Sequence, residues 1–162
     1  MAYQGLEVYL TDHLAGATAG VNLAQMASEE HRSDEHGPFF GEIASEIKAD
    51  FAELERLISE LGIDQSATKT AAAEIGSKMM APKFTGGDDD EFNAFITLET
   101  LSIGVEGKAC MWKALKSVED SNATLESFGI DGLLERAQSQ RDRIEAKRLE
   151  IAPQALAHTA PV

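Results

Sequence analysis

Four long stretches of this chain space their apolar residues three and four apart, the period of an α-helix, and none shows the strict alternation of a half-buried strand. Such stripes can be buried only against one another, which restricts the chain to helix packed on helix. The first stretch covers about 5–30 and carries Leu6, Leu10, Ala17, Val21 and Ala24 along one face. The second, about 38–61, aligns Phe40, Ile43, Ile47, Phe51, Leu54 and Ile58. Pro38 stands in its first turn, where a missing N–H costs nothing, and Gly62 stands where a C-terminal glycine cap belongs.

The third stretch, about 90–118, is headed by Asp88, Asp89, Asp90 and Glu91, which supply a cap and negative charge to the positive end of a helix. The last helical region opens at Ser121-Asn122-Ala123-Thr124, breaks at Gly129 and runs to about 151. Residues 1–152 read as one bundle, and 153–162, beginning with Pro153, as a frayed tail. Two connections are short. The third, 63–88, is long, with a short helix expected over 66–80 and stopped by Pro82. A long crossover between the second and third of four helices is the arrangement of ferritin-like bundles. The expected fold is therefore all-α, a four-helix bundle of ferritin-like type.

Charge narrows the partners. Twenty-eight acidic residues against fourteen basic ones leave a net charge of −14, which repels nucleic acid and anionic lipid. No run approaches the roughly 18 apolar residues of a membrane span. MAYQGLEVYLTDHL lacks the basic start of a secretory signal, and the single cysteine, Cys110, has no disulfide partner within the chain. A cytoplasmic location is expected, with Cys110 buried and inert.

The informative residues are polar ones on the apolar stripes. His13 lies between Leu10 and Ala17, and Asp50 between Ile47 and Leu54, with Glu46 at the edge. Glu99 and Glu106 fall on a line with Phe92, Phe95, Ser102, Ala109 and Lys113, while Arg141 lies between Ala137 and Ile144. All five of His13, Asp50, Glu99, Glu106 and Arg141 are near the middles of their helices, so they are expected to meet at one level. A buried charge without a partner is too costly to keep.

Two arrangements satisfy that condition. One is a closed salt-bridge network, with Arg141 on Glu99 or Glu106 and His13 on Asp50. The other is a metal site, in which inward carboxylates and a histidine from several helices hold two ions. The network is the favoured reading, with no cofactor. Glu99 and Glu106 are seven residues apart, about 10 Å along the axis, too far for both to bridge ions about 4 Å apart. No Glu-x-x-His occurs, and an inward arginine would repel metal. Glu106, flanked by Gly104 and Gly107, is the favoured buried carboxylate. The loop cluster His31, Asp34, Glu35 and His36 can hold an ion adventitiously but is expected to be solvated.

The segments YLTDHLAGATAG (9–20), GPFFGEIASEIKADFAELERLISELG (37–62) and LETLSIGVEGKACMWKAL (98–115) resemble small bacterial ferritin-like proteins near the stress-associated YciF-type group. The resemblance covers about 110 residues and implies a four-helix fold, often a homodimer, with a possible link to stress. Three functions follow as expectations. The first is a non-catalytic scaffold acting through self-association or a protein partner. The second is a divergent di-metal oxidase or peroxide scavenger, for which the resemblance implies iron or manganese held by His13, Glu46, Asp50, Glu99 and Glu106. The third is a small-molecule pocket held open by polar groups in the core.

Overall fold

A computed structural model describes residues 4–64 and 89–157. It contains the helices α1 (Gln4–Glu30), α2 (Gly37–Glu60), α3 (Asp90–Lys116), a short α4 (Ala123–Ser127) and α5 (Ile130–Ala157). A 3₁₀ turn, Glu119–Ser121, precedes α4, and there is no strand among the described residues. The chain is an all-α bundle of four long helices. The short helix expected over 66–80 and the last five residues lie outside the described residues.

The ends of these helices follow from the sequence. Asp89 accepts a hydrogen bond from the Phe92 N–H at 3.1 Å and so caps α3. Asn122 does the same for α4, accepting from Thr124 and Leu125. Gly62 and Gly129 adopt φ of 70° and 79°, where a side chain would be strained, and each stands just after a helix end.

The last helix corrects the expected start of the tail at 153, since α5 passes through Pro153 to Ala157. Proline costs the helix one hydrogen bond, but Pro153 is exposed while Ile151 and Ala155 beside it are buried. Packing on the buried face carries the helix past it.

Two apolar clusters divide the core and fix the direction of each helix. At one end Leu10 and Leu14 from the start of α1 meet Leu57 and Ile58 from the end of α2. Trp112 and Leu115 from the end of α3, and Ile130 from the start of α5, complete that cluster. At the other end Ala24 and Ala27 meet Phe40, Ile43, Phe95, Leu98, Ile144 and Ile151. Hence α1 runs antiparallel to α2 and to α3, while α2 and α3 run the same way. The end of α2 and the start of α3 are therefore at opposite ends of the bundle.

The seam between the two clusters falls at Asp50, between Ile47 of one and Leu54 of the other. No described helix is long and apolar enough to cross a membrane.

Candidate functional site

Asp50 is 6% exposed at the middle of α2, and three residues from the opposite pair of helices converge on it. Lys108 of α3 donates from Nζ to Asp50 Oδ2 and to Gln140 Oε1. Gln140 of α5, fully buried, donates from Nε2 to the same Asp50 oxygen at 2.9 Å. The amide thus offers its oxygen to the ammonium and its nitrogen to the carboxylate, which fixes its orientation. Arg136, one turn earlier on α5, sets Nη2 against Asp50 Oδ1 as an ion pair without an aligned hydrogen bond. Two cations, one carboxylate and one amide tie three helices together at the level where the apolar core changes hands.

Lys108 is the electrostatically unusual member. Burial pushes its ammonium below the ordinary lysine range, and the attraction of Asp50 opposes that shift without cancelling it. An ammonium has three N–H donors, and Asp50 and Gln140 take two of them.

Beside this ring lies a cleft of about 390 Å³, walled by α1 and α3 and floored by α2. Gly16 and Gly20 line one wall, and Gly104 and Gly107 the other. A Cβ built on any of the four would meet nothing within 4 Å, so the space exists because side chains are missing there. Phe51, Leu101, Val105, Met111 and Trp112 supply apolar surface. The polar lining includes His13, Asp50 and Lys108. His13 stacks edge-on against Tyr9 at 4.6 Å, and burial lowers its pKa more than Asp12 raises it.

The five residues expected to meet in the core do not converge. Asp50 is buried as expected, but His13 is half-buried at the cleft and has no contact with it as an ion pair. Glu106 and Arg141 form a salt bridge at 2.9 Å, yet their side chains are 43% and 44% exposed, so this pair lies at the surface. Glu99 is paired with Arg148 at 3.1 Å and is 47% exposed. Cys110 is exposed rather than buried, with its thiol 3.8 Å from Glu106.

A rotation of two helices accounts for these corrections. On α3 the buried line is Leu98, Leu101, Val105, Trp112 and Leu115, with Lys108 in its middle. The line through Glu99, Ser102 and Glu106 is one residue round the helix. On α5, Ala137 and Ile144 are seven apart, and either Gln140 or Arg141 completes the stripe between them. The fold buries Gln140, a neutral amide that costs less to desolvate than a guanidinium.

The proposed di-metal ligand set does not fit this arrangement. Glu46 is clamped at 2.5 Å by Arg143, which also holds Glu42 at 2.6 Å, and Asp50, Glu99 and Glu106 each carry their own cationic partner. Among the described residues, Glu35, His36 and Glu91 form the only group of three such ligands that converges. Lys108, Gln140 and Arg136 escape sequence reasoning as site residues, the only signal being the second helical register each occupies. No protein-family model, curated protein or solved structure matches this chain.

Proposed function

We propose that this protein is a ferritin-like helical bundle that binds a small, largely apolar molecule in the cleft between α1 and α3. The observation that carries the reading is the set of four helix-interior glycines, Gly16, Gly20, Gly104 and Gly107, facing one space. Each costs its helix about 0.5–1 kcal/mol relative to alanine, and none is needed for close packing. A cleft of this volume is at the small end of ligand sites, and its mix of apolar walls with a few convergent polar groups is the usual composition of one.

Lys108 defines the polar end. Its third N–H is available to an acceptor, so the ligand class is an apolar body with a carboxylate or carbonyl oxygen. Asp50 already accepts from Lys108 and Gln140 at Oδ2 and is ion-paired to Arg136 at Oδ1, so it serves to hold Lys108 in place. The parallel run of α2 and α3 supports the ferritin-like assignment, because that topology needs a crossover between them. The carboxylates already paired to cations favour binding over di-metal chemistry.

Trp112 is the only tryptophan, lines the cleft and is 1% exposed, so its fluorescence reports occupancy. Titration with straight-chain carboxylates of increasing length should change that emission saturably, with affinity rising until the cleft is filled. Gly20→Leu should abolish the response while leaving the helical circular dichroism intact. No saturable change across the series would sink the proposal.

A further inference from the structure

At the end of the bundle opposite Trp112, the turn joining α1 to α2 meets the first turn of α3. His36 in that turn is 4% exposed, and its Nε2 is 3.1 Å from Glu91 Oε1. Glu35, its neighbour, brings a carboxylate to the same place. One ligand atom from each of Glu35, His36 and Glu91 lies within 4.8 Å of the others. Two atoms coordinating one ion at about 2.1 Å stand roughly 3.0–3.4 Å apart when adjacent, which the His36–Glu91 separation meets, and the exposed Glu35 side chain has to swing inward to complete the set.

His36 Nε2 faces Glu91, and its Nδ1 is buried with no hydrogen-bond partner among the described residues, so the protein pairs only one of the two ring nitrogens. The surroundings are strongly acidic, since Asp34, Asp89 and Asp90 adjoin the three groups in sequence. Asp34 accepts the His36 backbone N–H at 2.8 Å and holds His31 Nδ1 at 2.7 Å, while His31 stacks on Phe40 at 4.8 Å. The turn is thus anchored to the core before any ion arrives. A Cβ at Gly37 would meet the His31 carbonyl at 2.5 Å, so glycine is needed for the turn to close this tightly.

We propose that Glu35, His36 and Glu91 bind a divalent first-row metal ion of the zinc class, with water completing its coordination. One imidazole and two carboxylates suit such an ion, whereas calcium and magnesium prefer oxygen alone. The ion links the α1–α2 turn to α3 and acts as a structural staple, remote from the glycine-lined cleft.

The test is calorimetric titration of zinc chloride into chelator-treated full-length protein, with calcium chloride as the comparison. One zinc ion per chain should bind in the micromolar range, at least 100-fold more tightly than calcium, and should raise the melting temperature. Glu91→Gln should weaken zinc at least tenfold and remove that rise, and Glu35→Gln/Glu91→Gln should abolish saturable binding. Glu35 is exposed and Glu91→Gln keeps an oxygen acceptor for His36 Nε2, so melting in chelator should fall by no more than a few degrees, and the zinc-dependent rise is read against each variant's own chelator baseline. His36→Ala is less informative because the ring is packed in the fold. Absence of stoichiometric zinc binding, or binding that survives in Glu35→Gln/Glu91→Gln, would overturn the site.

Discussion

Gln140 donates from Nε2 to Asp50 Oδ2 at 2.9 Å, joining the middle of α5 to the middle of α2 where both side chains are buried. Because Lys108 bonds both members of this pair, the three residues close a ring in which removing any one exposes the other two to an unmet demand.

Asp50 is the most sensitive position of the ring. Asp50→Ala leaves the buried Lys108 ammonium and Arg136 without their counter-charge, and should cost about 3–5 kcal/mol of folding stability in urea denaturation. Asp50→Asn keeps the shape but not the charge and should also destabilise. Lys108→Met should be milder, because Arg136 and Gln140 still contact the carboxylate, and the unmet demand falls on neutral Gln140 Oε1 and one Asp50 lone pair and not on an unpaired charge. A loss for Asp50→Ala within the range of a surface substitution would show that the cations escape to water.

Adjacent residues on α5 separate the two possible helical registers. Gln140→Ala strands one bond each on Asp50 and Lys108 and should cost about 1–3 kcal/mol. Arg141→Ala breaks only an exposed pair with Glu106 and should cost less than about 1 kcal/mol. Comparable losses at the two positions would contradict the register described above.

The same two residues show how far the sequence could be read. The apolar periods of four helices, the Asp89-led cap and the buried Asp50 were all legible, because large side chains at fixed spacing admit one solution. The rotation of α3 and α5 was not. On α3, apolar residues occupy two neighbouring lines, and the choice between them depends on which line buries more volume against α5 and α1. Lys108 was hidden by that choice, and so was the exposure of Glu99, Glu106 and Cys110. A pocket held open by polar groups was among the expectations, but its glycine walls were not legible: a glycine records the absence of a side chain, and only the facing helix shows whether anything fills the gap.

Those glycines give a prediction of opposite sign to most substitutions. Gly20→Ala and Gly107→Ala lie in helix interiors where a Cβ meets nothing within 4 Å. Each should stabilise the protein by about 0.5–1 kcal/mol through helix propensity alone. Thermal melting of the two single variants checks this, and a lowered melting temperature would mean the walls of the cleft are closer than described.

His13 supplies a pH-dependent test of the cleft itself. Burial holds its pKa below the usual 6.5, and Asp12 pulls in the opposite direction with less effect. Between the folded value and 6.5 the unfolded chain binds more protons than the folded one, so stability falls as the pH is lowered through that window. The contribution of His13 is full above 6.5 and is lost as the pH drops through its lower folded value. A ring-proton NMR titration should give a midpoint below 6.5, and Asp12→Asn should move it lower still by removing the carboxylate that favours the charged ring. His13→Gln should flatten the dependence of stability on pH in this range. Asp50 and Lys108, which also line the cleft, are present in both proteins, so the difference between them isolates the ring. A His13 midpoint at or above 6.5 would place the imidazole in open solvent and remove it from the wall of the proposed binding site.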